Sequence, residues 1–237
     1  MKIPQSWIST AFLLTSIFLP LSLLAKEPLS KSVATKGKLL FSDDFEKAKS
    51  IDNWTSVIPT FTVQDGVLVG SQTRDDHGAV GRVMVPFTDC IIEFKFRLEG
   101  SPGFNAVIDD KNHKGSHAGH ICRVAFAPKQ ISLGDDKEGI MRNDIFAMRR
   151  DPKRKAEADK LLKDRGLVTK QTLEQDSWYS VRIEIVGDTM RVSLDDKAIG
   201  LLKSPGLAHE TKASFHFTVR GKDAHFDDVK IWAAEKK

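Results

Sequence analysis

The stretch from Thr88 to Leu98, Thr-Asp-Cys-Ile-Ile-Glu-Phe-Lys-Phe-Arg-Leu, constrains the fold more than any other. Cys90, Ile92, Phe94, Phe96 and Leu98 share one parity, and Glu93, Lys95 and Arg97 the other. Alternation with period two describes a strand with one buried face and one wet, charged face. The pattern returns in Phe104–Asp109, His120–Ala127, Trp178–Val186 and Ser214–Arg220. Asp65-Gly66 between apolar residues is a hairpin signal, and Gly187-Asp188 and Asp195-Asp196 mark further turns. Short strands separated by turns, with no helices between most of them, predict an all-β fold of two stacked antiparallel sheets.

The texture changes between Gly139 and Asp176, where no strand signal is visible. Asp151-Pro152 reads as a helix cap followed by proline at the first helical position, with Gly166 as the stop. One helical insertion is therefore expected near 140–170. From Arg149 to Arg165 there are eight Lys or Arg against four Asp or Glu. That excess equals the formal net charge of +4, so the rest of the chain is close to neutral. The helix reads either as a solvated surface or as a patch for an anionic polymer. Nothing resembles a nucleic-acid module.

Lys2 followed by the apolar run Ile8–Leu24 and small Ala25 predicts a cleaved signal peptide over 1–25. Pro20 interrupts the run, which is short for a membrane anchor. The mature protein is then exported and without a membrane span. Polar residues 26–38 read as a flexible leader, and 39–234 as a single domain. Two cysteines, Cys90 and Cys122, fall on apolar parities. They read equally as a disulfide or as two buried thiols.

Four segments, with their order and spacing, resemble a known family. They are Leu40-Phe-Ser-Asp-Asp-Phe-Glu46 with Trp54, Val63–Gly70, Ile91–Gly100 and the closing Phe226-Asp-Asp-Val-Lys-Ile-Trp232. Together they resemble the 3-keto-disaccharide hydrolase domain of the concanavalin A-like lectin and glucanase superfamily. The resemblance implies a jelly-roll sandwich that binds carbohydrate on its concave sheet and cleaves glycosidic bonds. It places a family Asn at Asn105 and a family Gly at Gly119. The family's acidic or amide positions fall here on Lys95, Ile121 and Arg123, a departure that bears on catalysis. The Glu-x-Asp-x-x-Glu strand of laminarinase-type glucanases has no counterpart. After Glu157-x-Asp159 and Glu174-x-Asp176 the last position holds Leu162 and Tyr179.

Hydrolysis of a glycoside usually needs two carboxyls flanking the bond. Glu93 and Asp109, on neighbouring predicted strands, are the candidate pair, with Glu184 a third. Sugar recognition wants amides, guanidinium groups and an aromatic platform. Lys95, Asn105, His120, Arg123, Arg182, His216 and Arg220 supply the polar part, set against an ordinary salt-bridged surface. His113, His117 and His120 are close in sequence but match no standard zinc spacing. Asp43, Asp227 and Asp228, near opposite chain ends, are candidates for a structural Ca²⁺. The residues thus leave three functions open: a glycosidase, a carbohydrate-binding module without catalysis, and a structural surface protein.

Overall fold

The computed structural model describes residues 29, 31–47, 51 and 53–237. The expected signal peptide over 1–25 lies outside them. Fifteen strands are seen among these residues. They are β1 (Ala34–Asp43), β2 (Thr55–Ile58), β3 (Phe61–Gln64), β4 (Val67–Gly70), β5 (Ala79–Phe87), β6 (Cys90–Glu99), β7 (Gly103–Asp109), β8 (His120–Ala127), β9 (Gln130–Asp135), β10 (Gly166–Lys170), β11 (Tyr179–Val186), β12 (Thr189–Leu194), β13 (Lys197–Lys203), β14 (Lys212–Arg220) and β15 (Asp223–Lys236).

They form two antiparallel sheets, as the alternation requires. One runs β13-β12-β11-β6-β15-β4-β3, with β1 also paired to β15. The other runs β10-β9-β8-β7-β14-β5-β2. β15 is long enough to serve three neighbours. Its first residues pair with β4, its last with β1, and most of its length with β6. The β3–β4 hairpin turns at Asp65 and Gly66, both at positive φ (48° and 76°), the geometry that Asp-Gly favours.

The facing parities meet in an aromatic core. Phe94 from one sheet lies 5.1 Å from Phe217 of the other, and Phe217 stacks on Phe226 at 3.9 Å. Phe96, Phe104 and Phe126 fill the adjoining layer. Cys90 and Cys122 sit in this core as free thiols on different sheets. Burial pushes both thiols up, Cys90 to about 12, so neither is a ready nucleophile.

Three local expectations are corrected. Residues 34–38, expected in a flexible leader, form the first half of β1 and pair with the end of β15. Asp151-Pro152 does not start a helix. Helix α1 (Asn143–Arg150) ends there, since a residue before proline is driven extended. The Asp151 carboxylate accepts from the Lys153 amide, and α2 (Lys155–Leu161) follows. Gly166 is the first residue of edge strand β10 and not a helix stop. The two helices have a small core of their own, built from Ile145, Met148 and Ala158 with Leu162.

Candidate functional site

Outward parity on the seven-stranded sheet, followed across the register, places the site. Arg123 on β8 pairs with Val107 on β7, Val107 with His216 on β14, and His216 with Arg82 on β5. One row above, Ala125, Asn105 and Thr218 are likewise in register. These side chains floor a cavity of about 950 Å³ that spans all seven strands. The insertion closes one end and the 72–78 loop the other.

Asp109 ends β7 at the bottom of this trough, with its side chain 2% exposed. His120 Nδ1 donates to its Oδ1 at 2.6 Å. Arg82 donates to Oδ2 at 3.2 Å. His216 Nδ1 lies 3.1 Å from the same Oδ2, though off the line of a hydrogen bond. Burial alone would raise the Asp109 carboxyl. The bond from His120 and the adjacent His216 outweigh it and hold the group well below the usual carboxylate range. The register slips between Ile108 and Asp109, which turns His120 toward Asp109. The slip also buries Ile121, whose parity predicted an outward side chain. Arg123 is anchored by Asp136 at 2.6 Å. Burial pushes Asp136 up against the pull of Arg123.

Among the described residues, Asp109, His120 and His216 are the one group of three or more His, Cys, Asp or Glu whose ligand atoms lie within 4.8 Å of each other. That spacing suits a divalent cation. Arg82, however, already occupies the carboxylate and sets a positive charge beside it. The arrangement therefore fits proton transfer better: Asp109 fixes the His120 Nδ1–H tautomer and leaves Nε2 available to a ligand.

His216 is 2% exposed, and burial lowers its basicity from an ordinary value of 6.5, with Asp109 opposing. The unfolded chain protonates this imidazole as pH falls below about 6.5, the folded chain only at lower pH. Stability is then complete above about 6.5 and declines below it. His113, His117 and His225 shift in the same direction, while Asp109 stays ionised across this window. Thermal unfolding should show a lower midpoint at pH 5.5 than at pH 7.5. Equal midpoints would contradict the assignment.

Of the residues singled out by sequence, Asn105, His120, Arg123, His216 and Arg220 line the trough, and Asp109 lies beneath it. Glu93, Lys95 and Arg182 do not. Their strands β6 and β11 belong to the other sheet, so they face out on the opposite side of the sandwich. The Glu93–Asp109 pair is therefore not a flanking pair. Glu93 is bound by Lys36 at 2.7 Å and Arg182 at 2.8 Å. Glu184 is buried beneath Ser32 and Val33. Asp43 accepts the Trp54 ring N–H, and Asp228 pairs with Lys95. Together with Asp227, these carboxylates do not converge on one point. Of the three histidines, His113 packs on His209, while His117 stacks on Phe146 with its ring 6.3 Å from that of His120.

Two residues of the candidate site escaped the sequence reading. Arg82 was detectable, since it alternates with buried Gly81 and Val83 in an otherwise apolar strand. Asp136 follows a strand end and has no periodicity to mark it.

Solved structures share this architecture at low identity. The Crh5 transglycosylase matches at 13% identity and a TM-score of 0.59, covering 89% of this chain and 92% of that one. A laminarinase from Flavobacterium sp. UMI-01 matches at 12% and 0.57, covering 82% and 100%. The carbohydrate-binding module CBM66 from Bacillus subtilis matches at 13% and 0.52, covering 76% and 96%. These likenesses establish the concanavalin A-like jelly roll. No curated protein matches the sequence. The profile of the 3-keto-alpha-glucoside-1,2-lyase-like domain does match, over residues 38–232, and the chain belongs to that family, the one its motifs resemble.

Proposed function

We propose that the protein cleaves the glycosidic bond of 3-keto-glucosides by elimination, with His120 as the base. The observation that supports this most is the His120 imidazole oriented by a buried carboxylate at the floor of the trough. Two carboxyls facing each other across a groove, as direct hydrolysis usually needs, are not what the floor presents.

A ketone at C3 acidifies the hydrogen on C2, so one base suffices. His120 Nε2 takes the C2 proton, and the C–H electron pair forms a C2=C3 enolate with its charge on the 3-oxygen. Arg82 and Arg123 set positive charge beside that oxygen. The charge then returns to restore the ketone, C1=C2 forms, and the C1–O bond breaks. The departing oxygen takes the proton from the imidazolium. Later addition of water across C1=C2 gives the products of net hydrolysis. The apolar run at Ile8–Leu24 supports export, so the substrate would be met outside the cytoplasm.

The test is turnover of 3-keto-trehalose or 3-keto-sucrose by wild type, His120→Asn and Glu93→Gln. The expected result is release of the free sugar by wild type and Glu93→Gln alike, with His120→Asn slower by roughly 10²-fold or more. No turnover by wild type would end this reading. Full activity in His120→Asn would remove that residue from the role of base.

A further inference from the structure

The trough continues beyond the His–Asp–Arg centre to the edge of the sheet, and its chemistry changes on the way. In the row that holds His216, Val107 and Arg123, the next two strands place Gly134 and Gly166. With no side chains there, the row stops at Arg123 and leaves a recess over β9 and β10. A Cβ at Gly134 would meet a single neighbour, Arg123 Cγ, at 3.8 Å. Aliphatic side chains form much of the wall of the recess, with Ser132 and Arg165 beside them. Ile140, Met141 and Leu162 come from the insertion, and Val168, 61% exposed, stands on the edge strand.

Val168 thus presents apolar surface at the open side of the recess. Among the described residues no Trp, Tyr or Phe lines any part of the trough. A second sugar ring would find no aromatic face to stack on. An apolar group would bury its surface against four aliphatic side chains.

Resting on the reading that the centre takes a 3-keto-glucosyl unit, we propose that this recess is a subsite for the group across the glycosidic bond. The group it favours is an apolar aglycone, aryl or branched alkyl, over a second sugar. The insertion is then the element that selects the substrate, and Gly134 is the residue that keeps the recess open.

Binding of unreactive probes tests this apart from the chemistry. Phenyl α-glucoside and methyl α-glucoside, both unoxidised, would be titrated against wild type and Gly134→Val. Valine suits a strand, and no left-handed φ forbids it at this position. The melting temperature of the variant confirms that it folds. The expected result is about tenfold or more tighter binding of the phenyl glucoside to wild type. Gly134→Val should lose that preference and keep the methyl glucoside affinity. Equal affinities in wild type, or no measurable binding of either probe, overturn the proposal. So does a phenyl preference that survives Gly134→Val. Neither probe reacts, so failure to cleave a 3-keto-glucoside would strike the elimination reading and leave this result standing.

Discussion

Asp109→Asn is expected to remain folded and to lose on the order of 10³ in kcat toward a 3-keto-glucoside, with little change in KM. Asparagine preserves the shape and removes the charge. In the native protein one carboxylate oxygen accepts from His120 Nδ1 and the other from Arg82. An amide offers one acceptor and one donor. If its oxygen stays with Arg82, its NH₂ meets His120 and forces the Nε2–H tautomer, which cannot take a proton from substrate. If it flips, the half-buried Arg82 guanidinium loses its partner, which costs stability as well. The kcat-against-KM split separates these effects from general damage, because substrate binding uses the trough walls and not the buried carboxylate. A loss smaller than tenfold would show that Asp109 does not orient the base.

Phe94→Ala carries the largest expected effect on stability, about 3–5 kcal/mol. Phe94 is 2% exposed and packs within 6.4 Å, ring to ring, of Phe96, Phe104, Phe126, Phe215 and Phe217. Its contacts therefore join both sheets. Removing the ring forfeits its transfer free energy and leaves a cavity that rigid aromatic neighbours cannot close. A typical domain is stable by about 5–15 kcal/mol, so this one change would consume much of the margin. The midpoint and slope of denaturant unfolding measure it. A shift of less than about 1 kcal/mol would mean that Phe94 does not tie the layers together.

The sandwich was legible in the sequence because parity is a local property. Each strand announces which side chains it buries, whatever its neighbours are. Which strands share a sheet is not local, and there the reading failed. Glu93 and Asp109 lie on consecutive strands, but the chain crosses from one sheet to the other around Gly100–Gly103. Lys95 and Arg182 are as polar and as outward as Asn105 and Arg123, and nothing short of the register tells the two faces apart. Irregular backbone hid the rest. The slip at Asp109 buried Ile121, and β10 has its two apolar residues, Leu167 and Val168, adjacent and not alternating. Gly134 and Gly166 matter through the side chains they lack, which no pattern of hydrophobicity can flag.

The position of β15 has a consequence for how the protein is made. It is the last strand of the chain, yet it lies in the interior of its sheet, between β6 and β4. Until a ribosome has delivered residues 223–236, that layer exists as two unjoined pieces with raw backbone edges, and β1 has nothing to pair with. Such long-range closure is entropically slow. The two parts of this layer therefore stay unjoined until residues 223–236 have been made, and β15 closes the sheet in one step.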